Sequence, residues 1–282
     1  STLMRSSAAS DVYKRQVVSG ANTITVELND GTEHAATIVG SDSSSDIAVI
    51  KIDATGLTAA TLGNSDNLAV GETVVAVGNP MGTLSGTVTD GIVSAVNRAV
   101  EVEGNEMNLI QTDAAISPGN SGGGLFNGKG ELIGIVNASG STTTSSGAVS
   151  QNLGFAIPIS DAMDIATQLI ENGYVARPAL GVMILDINDA QTAYQYGVSN
   201  YGVYIIQVTP GGGADQAGLQ AGDRIVSVDS NSVTTGQDLT SYLETKEIGD
   251  TVELQIEREG RMATYTVSLG ESSANTGESA AG

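Results

Sequence analysis

A chain of 282 residues is long enough for two domains, since single hydrophobic cores stop growing near roughly 250–300 residues. Its 32 acidic and 11 basic side chains give a formal net charge of -21, which would repel phosphate backbones and anionic lipids and excludes nucleic acid as an expected partner. The chain contains no cysteine, which excludes disulfides and thiolate metal sites, and no apolar run reaches the roughly 18–20 residues of a membrane span.

The first part of the chain is predicted to be rich in short strands. Residues 1–16 carry no apolar period, so we expect a leader that is non-native or disordered. A regular alternation of apolar and polar residues begins at Val17. The β-rich runs that follow have no intervening helices, which indicates an antiparallel barrel or sandwich. The run Asn29-Asp30-Gly31 predicts a hairpin turn. Strands are predicted at 23–28, 35–39, 47–52, 73–77, 91–96 and 132–136.

A helix is predicted to end the first domain, which spans 17–173. It begins after Pro158, with Ser160 as its N-cap and Gly173 as its stop. A linker at 174–178 leads to a second domain of α+β pattern at 179–270. Its strands are predicted at 180–184, 203–208, 224–228, 252–257 and 264–269, and its helical segments at 214–219 and 237–243.

The tail at 271–282 is rich in Ser, Gly and Glu. We expect it to be disordered because it has too little apolar area to offset its ordering entropy.

The segment from Ile116 to Leu125 is the most informative for chemistry. A serine hydroxyl becomes a useful nucleophile when it is exposed beside a base and when donors face the developing oxyanion. Glycines on both sides of Ser121 allow positive φ, so the amides of Gly119 and Ser121, with Asn120 between them, are predicted to form an oxyanion hole. The alternative is a glycine-rich loop with an incidental serine.

Chain order separates the possible hydrolase classes. Residues 119–123 also fit the G-x-S-x-G elbow of α/β-hydrolases, but in those enzymes the histidine follows the serine, whereas the single histidine here, His34, precedes Ser121. A subtilisin-like set of Asp30, His34 and Ser121 is disfavoured because no α/β scaffold is predicted. The third possibility is a catalytic triad whose residues follow one another along the chain in the order histidine, aspartate, serine.

Residues 40–52 resemble the block of the HtrA protease family that carries the triad aspartate at the start of an apolar strand, and Asp46 is the matching residue. Similar blocks follow at 77–80, 91–95, 111–116 and 154–158, so the resemblance runs almost continuously from Val17 to about Gly173. It implies a mainly β, trypsin-like double β-barrel in which the first barrel is incomplete. In such a site the aspartate orients the histidine and stabilises its imidazolium.

The family places its catalytic histidine directly before a Val-Val pair, and here Gln16 precedes Val17-Val18. A glutamine amide cannot act as a general base near neutral pH. Either the chain is a natural pseudo-protease, or the first 16 residues are foreign sequence joined to a truncated gene, and we expect truncation. His34 is expected to be an ordinary strand residue.

The resemblance also assigns the specificity pocket to the loops around Ser121. The pocket residues are expected to be Ile116, Val136, Asn137 and Ser139, and the small polar side chains among them leave the preferred substrate residue open. No metal and no cofactor is implied.

Residues 179–270 resemble a PDZ domain, which binds an extended peptide C-terminus as an added strand. The amides of Leu180 and Gly181 are expected to receive the peptide carboxylate. Leu180, Val182, Leu239 and Leu243 are expected to line the pocket, although ordinary core packing is the alternative for these side chains.

Together the resemblances imply an extracytoplasmic serine endopeptidase of protein quality control that cleaves unfolded or misfolded envelope proteins. Its partners would be such proteins and peptide C-termini, it would form a homotrimer at full length, and any membrane attachment would need an anchor missing from this sequence. As written, the chain is expected to be inactive. The alternative is a non-catalytic peptide-binding or chaperone-like protein.

Overall fold

The structure is a computed structural model that describes residues 2–4, 9–14, 23–79, 86–102, 105–137 and 153–273. It divides into two compact units, Ser1–Val175 and Ala176–Gly282. This division falls within the predicted linker at 174–178, which stays a prediction.

The first unit opens with a five-stranded antiparallel sheet. Its order is β1-β2-β5-β4-β3. Residues Ile47 to Ile50 are all buried, as expected for a strand covered on both faces. The five strands are β1 (Thr2–Met4), β2 (Ala9–Lys14), β3 (Ile24–Glu27), β4 (Glu33–Asp42) and β5 (Ile47–Ile52).

A closed six-stranded barrel follows, in the order β10-β11-β8-β7-β6-β9. Every residue of its strand at 132–137 is buried, so the barrel interior is a packed core. The six strands are β6 (Thr73–Gly78), β7 (Thr87–Val102), β8 (Asn105–Thr112), β9 (Gly124–Asn127), β10 (Leu132–Asn137) and β11 (Gly154–Pro158).

Helix α1 (Ile159–Asn172) ends the first unit. Its stop is Gly173, which adopts a left-handed φ of 83°, as predicted. The predicted N-cap is wrong, because Pro158 occupies that position and Ser160 lies inside the first turn. The amide of Ser160 donates to Oγ of Ser65, 3.1 Å away, so a side chain from a distant 3-10 turn satisfies this free donor.

The expected leader contains two strands. The backbone of β2 pairs with β5 over six residues, from Ala9 opposite Ile52 to Lys14 opposite Ile47. This pairing corrects the expectation of disorder for these residues, because the edge of β5 offers unpaired backbone groups to a neighbouring strand. The proposed non-native origin of residues 1–16 stays a prediction.

The second unit is an antiparallel sheet flanked by short helices. The sheet has the order β13-β14-β15-β17-β18, with β16 paired to β15. Its elements are β12 (Ala176–Ala179), β13 (Val182–Ile187), α2 (Ala190–Tyr196), β14 (Gly202–Val208), α3 (Gly213–Ala217), β15 (Arg224–Val228), β16 (Asn231–Ser232), α4 (Gly236–Leu243), β17 (Thr251–Arg258), β18 (Arg261–Ser268) and β19 (Gly270–Ser273).

The two ends of this unit meet in a small ribbon. Strands β12 and β19 pair from Ala176 opposite Ser273 to Ala179 opposite Gly270. The end of the predicted linker and the start of the predicted disordered tail are therefore strands, because each satisfies the other's backbone groups. Within the described residues, no helix is long and apolar enough to cross a bilayer.

Helix α4 begins with a capping box. Oγ1 of Thr235 accepts from the amide of Asp238, and the Asp238 carboxylate accepts from the amides of Thr234 and Thr235. The hydroxyl and the amide of Thr234 donate hydrogen bonds to the Asp238 carboxylate. These bonds, and the one from the hydroxyl most of all, lower the pKa of Asp238 from its ordinary value of 3.8 to about 2.

We therefore expect Asp238→Asn to destabilise the second unit in a pH-dependent way. Because the folded-state pKa is lowered, the stabilisation is complete above about pH 4 and is lost as the pH falls toward 2. Thermal unfolding should be measured at pH 7, 4 and 2. The melting temperature of Asp238→Asn should lie below that of the parent chain by an amount that decreases along this series. Glu259→Gln, in the exposed turn between β17 and β18, is the control, and a difference that grows toward pH 2 would contradict the account.

Candidate active site

The loop that carries Ser121 begins with a tight turn. The amide of Asn120 donates to the carbonyl of Ser117 at 3.0 Å, and Gly119 has a φ of 99°. Proline at the second position and positive φ at the third are the features of a type II turn. Positive φ, which the sequence predicts for the glycines on both sides of Ser121, is found at Gly119 and also at Gly122, whose φ is 81°.

The barrel strands hold this loop in place. The amide of Gly122 donates to the carbonyl of Val136 at 2.9 Å, and the amide of Val136 donates to the carbonyl of Gly123 at 2.8 Å. On the other side, a Cβ at Gly123 would lie 2.2 Å from the carbonyl oxygen of Val77. Ser121 is half-buried between these supports. Its position is thus set by backbone contacts with β6 and β10.

Several polar groups around this turn have no hydrogen-bond partner in the described parts of the chain. Within the described part of the chain, the amide of Gly119 donates to no carbonyl. Two buried oxygens there, Oδ1 of Asn79 and Oδ1 of Asn120, also have no hydrogen-bond partner among the residues that the structure describes. Unsatisfied buried groups are uncommon and often mark functional positions. A free backbone donor beside a serine is what stabilisation of an oxyanion requires.

Asp46 lies in the turn between β4 and β5. It is 5% exposed and has a φ of 54°, which is unusual for a residue other than glycine. Just before it, the amide and the hydroxyl of Ser45 both donate to the carboxylate of Asp42. Sequence reasoning missed Asp42, although the spacing of Asp42 and Ser45 is typical of a side-chain-stabilised turn.

Asn137 connects the aspartate to the serine loop. Its Nδ2 donates to Oδ2 of Asp46 at 3.3 Å, and both side chains are buried. The preceding residue, Val136, is the one whose backbone is bonded to Gly122 and Gly123. The loop of Ser121 and the turn of Asp46 are therefore joined through two consecutive residues at the end of β10.

The predicted histidine position lies outside the described residues. The last described residue before it, Lys14, pairs with Ile47, which directly follows Asp46. Gln16 and Val17-Val18 themselves are not described.

His34 is a strand residue, as predicted, and pairs with Val26. It lies eight positions before Asp42 along β4, a span of about 26 Å, so it cannot serve Asp46.

The four predicted pocket residues have different surroundings. Val136 contributes its side chain to the barrel core, which differs from a pocket-lining role. Asn137 turns its amide toward Asp46. Ile116 is half-buried and packs over Gly154, and Ser139 lies outside the described residues. The pocket assignment stays a prediction.

In the second unit, the strand and the helix that are predicted to bind a peptide lie side by side. Strand β13 is the terminal strand of its sheet, and α4 packs beside it. The amide of Gly236 donates to Oδ1 of Asp186 at 2.8 Å, which ties the start of α4 to β13. The four predicted lining residues belong to one apolar cluster, with Val182 half-buried and Leu180, Leu239 and Leu243 buried.

In the turn before β13 the carbonyls accept hydrogen bonds, whereas the amides have no backbone acceptor in the part of the chain that is described. The carbonyl of Leu180 accepts from the amide of Ala214, and that of Gly181 accepts from the amide of Thr209, both at 2.8 Å. Among the described residues, the amides of Leu180 and Gly181 donate to no backbone carbonyl. Gly181 has a φ of 79°, so its turn suits glycine. Such paired free amides are suited to a carboxylate.

Family models match both units. The trypsin-like peptidase domain matches residues 14–135, and the PDZ domain matches residues 178–269. These matches confirm the predicted fold class, in which a mainly β trypsin-like domain precedes a PDZ domain.

Curated relatives match most of the chain. The chain is 42% identical over 279 residues to "Serine protease Do-like HtrA" of Bacillus subtilis, covering 94% of this chain and 61% of that protein. It is 38% identical to the protein of the same name from Lactococcus lactis subsp. cremoris, and the match covers 94% of this chain and 68% of that protein. A "Probable periplasmic serine endoprotease DegP-like" of Halomonas elongata is 43% identical, and the match covers 90% of this chain and 52% of that protein. The chain thus spans about half to two thirds of these relatives.

Solved structures agree with the sequence matches. The structure is similar to "HtrA-type protease AlgW with decapeptide", with a TM-score of 0.66, 36% identity, and coverage of 96% of this chain and 81% of that one. A serine endoprotease from Yersinia pestis matches with a TM-score of 0.65 and 32% identity, with 96% and 87% covered. The chain therefore belongs to the HtrA family of trypsin-like serine proteases that carry a PDZ domain.

Proposed function

We propose that the chain is the protease and PDZ part of a serine endopeptidase that works through an acyl-enzyme. Ser121 would attack the scissile carbonyl, and the amides of Gly119 and Ser121 would hold the oxyanion. Asp46 would orient a histidine and stabilise its imidazolium. The observation that carries this proposal is the connection of the Ser121 loop to Asp46 through Val136 and Asn137.

The chain as written would be nearly inactive, because Gln16 stands where the family has its histidine. Without a base, the hydroxyl of Ser121 keeps its proton, and loss of one member of a catalytic triad costs on the order of 10⁶-fold in kcat.

A second candidate function follows from the same residue. If Gln16 is the natural residue, the chain would be a peptide-binding or chaperone-like protein that acts through its PDZ domain.

Labelling with a fluorophosphonate tests the proposed chemistry, since this reagent phosphonylates an activated serine, with fluoride as the leaving group. The Gln16→His variant should be labelled, and mass spectrometry should find the label on Ser121. The parent chain and Gln16→His/Ser121→Ala should remain unlabelled. Labelling at another serine, or none in a folded Gln16→His chain, would contradict the proposal and favour the peptide-binding function.

The PDZ groove would bind the C-terminus of an extended peptide. The peptide backbone would extend the sheet at β13, and its carboxylate would accept from the free amides of Leu180 and Gly181. Two solved structures of the HtrA-type protease AlgW contain a decapeptide and a tripeptide. By similarity, short peptides are the expected ligands here.

Peptide binding is expected to depend on the terminal carboxylate. In fluorescence polarisation, a decapeptide with an apolar last residue should bind at least about ten-fold more tightly than the same peptide with a C-terminal amide, because charge-assisted hydrogen bonds are the stronger kind. A decapeptide that is N-methylated at its last peptide bond serves as the backbone control and should also bind weakly. Equal affinities for acid and amide would contradict this mode of binding.

The biological setting is inferred from the relatives. Several of these are named periplasmic endoproteases, which supports an extracytoplasmic location for the present protein. We propose unfolded or misfolded envelope proteins as substrates and a homotrimer as the assembly of the full-length protein.

A further inference from the structure

The peptide groove of the second unit, between β13 and α4, has an acidic side chain at one end. Asp186 lies near the end of β13 and beside Gly236, the first residue of α4. We propose that Asp186 selects a lysine or arginine at the fifth residue from the end of a bound peptide. This inference rests on the proposed peptide binding, because it uses the same strand and the same orientation of the peptide.

Alternate residues of β13 face the groove, since side chains two positions apart in a strand lie on one face. Val182 and Ile184 pack against the apolar cluster that contains the two buried leucines of α4, whereas Leu185 packs in a different cluster. The bulge between β13 and β14 has its extra residue, Ile206, on β14. The alternation of β13 is therefore uninterrupted, and Asp186 shares the face of Val182 and Ile184.

Contacts with α4 also place the Asp186 carboxylate on the groove side. Its Oδ1 accepts from the amide of Gly236 at 2.8 Å. A Cβ at Gly236 would lie 3.0 Å from Cδ1 of Ile184 and 3.1 Å from Oδ1 of Asp186, so the three residues meet at the start of the helix. One oxygen thus holds the carboxylate in place, at the far end of β13 from Gly181.

The second oxygen of this carboxylate can accept from a ligand. Among the described residues, Oδ2 of Asp186 accepts no hydrogen bond, and no lysine or arginine forms an ion pair with this side chain. The side chain is exposed. A basic side chain of a peptide would supply both the missing donor and the opposite charge.

The proposed orientation of the peptide determines which of its residues reaches Asp186. A carboxylate at the amides of Leu180 and Gly181 places the last residue opposite Val182 in an antiparallel pair. The third residue from the end then lies opposite Ile184, and the fifth lies opposite Asp186. Directly opposite side chains share a face, with Cβ atoms about 4.5–5.5 Å apart, and opposite charges at such positions attract. Lysine and arginine are long enough to span this distance.

Two decapeptides of the same composition test this inference. Both end in the same apolar residue with a free carboxylate. One has lysine at the fifth position from the end and serine at the fourth, and the other has these two residues exchanged. In fluorescence polarisation with the parent chain at low salt, the first should bind at least about three-fold more tightly, because only its lysine lies on the face of Asp186. Equal net charges cancel any general attraction to the acidic chain.

Asp186→Asn identifies the source of this preference. Asparagine removes the charge but keeps an oxygen that can accept from the amide of Gly236, so the preference should fall below about 1.5-fold while α4 stays in place. Asp250→Asn is the matched control, since Oδ2 of Asp250 accepts from the amide of Glu247 at 2.9 Å, outside β13 and α4. It should leave the preference unchanged. Equal affinities in the parent chain, or an unchanged preference in Asp186→Asn, would overturn the inference.

Failure of this inference differs from failure of the proposed peptide binding. Decapeptides that bind equally well, and that both lose affinity as C-terminal amides, would reject the role of Asp186 and uphold the groove. Decapeptides that do not bind at all would reject both proposals.

Discussion

The Gln16→His variant is expected to hydrolyse unfolded casein at least about 10³-fold faster than the chain with Gln16. The family places a histidine at this position, and its imidazole would take the proton of Ser121 while Asp46 holds its tautomer. Removing a triad member typically costs on the order of 10⁶-fold, so partial recovery is still a large effect. Release of acid-soluble peptides measures the rate.

Two further variants in the same background identify the source of this activity. Gln16→His/Ser121→Ala should return the rate to that of the parent chain, and Gln16→His/Asp46→Asn should lower it strongly, because asparagine would favour the wrong imidazole tautomer. A parent chain that already cleaves casein in a manner blocked by serine reagents would contradict the expected inactivity. A folded but inactive Gln16→His chain would contradict the assignment of position 16.

Gly123→Ala is expected to have the largest effect on stability among substitutions near the site. Its Cβ would lie 2.2 Å from the carbonyl oxygen of Val77 and 2.9 Å from that of Asn120, and both are backbone atoms that cannot rotate away. Overpacking of this kind costs about 3 kcal/mol. For a unit of this size, that corresponds to a loss of roughly 6–12 °C in melting temperature.

The same substitution should also abolish fluorophosphonate labelling in the Gln16→His background, because the loop that carries Ser121 must move to relieve the clash. Gly128→Ala is the matched control: it is a neighbouring loop glycine whose Cβ would meet no heavy atom within 4 Å. It should melt within about 2 °C of the parent. A Gly123→Ala chain that melts with the parent and is still labelled would show that the loop is not held against β6.

Elements with a strong local pattern were predictable from the sequence. The strands at 47–52 and 224–228 have the predicted bounds, since each is a short apolar run ended by polar or turn residues. The strand predicted at 91–96 extends over Thr87–Val102, because its ends pair with β6 and β8 in spite of their polar side chains. Such extensions depend on partner strands that lie elsewhere in the chain.

Elements stabilised only by distant partners were not predictable. Strands β8 and β9 have mixed patterns, and β11 is a short buried run without alternation. The β12–β19 ribbon joins residues nearly 100 positions apart. The same distinction applies to the site. The loop of Ser121 could be predicted from the glycines next to it in the sequence. The hydrogen bond from Asn137 to Asp46 could not, because it joins residues 91 positions apart and leaves no local sequence pattern.

A crystal structure of the Gln16→His variant with phosphonylated Ser121 would test the spatial basis of the account most directly. We expect the imidazole at position 16 to lie between Ser121 and Asp46, with one ring nitrogen within about 3.2 Å of a carboxylate oxygen of Asp46 and the other facing the modified serine. An imidazole more than about 7 Å from either residue, in an otherwise unchanged barrel, would contradict the claim that the three positions form one catalytic site.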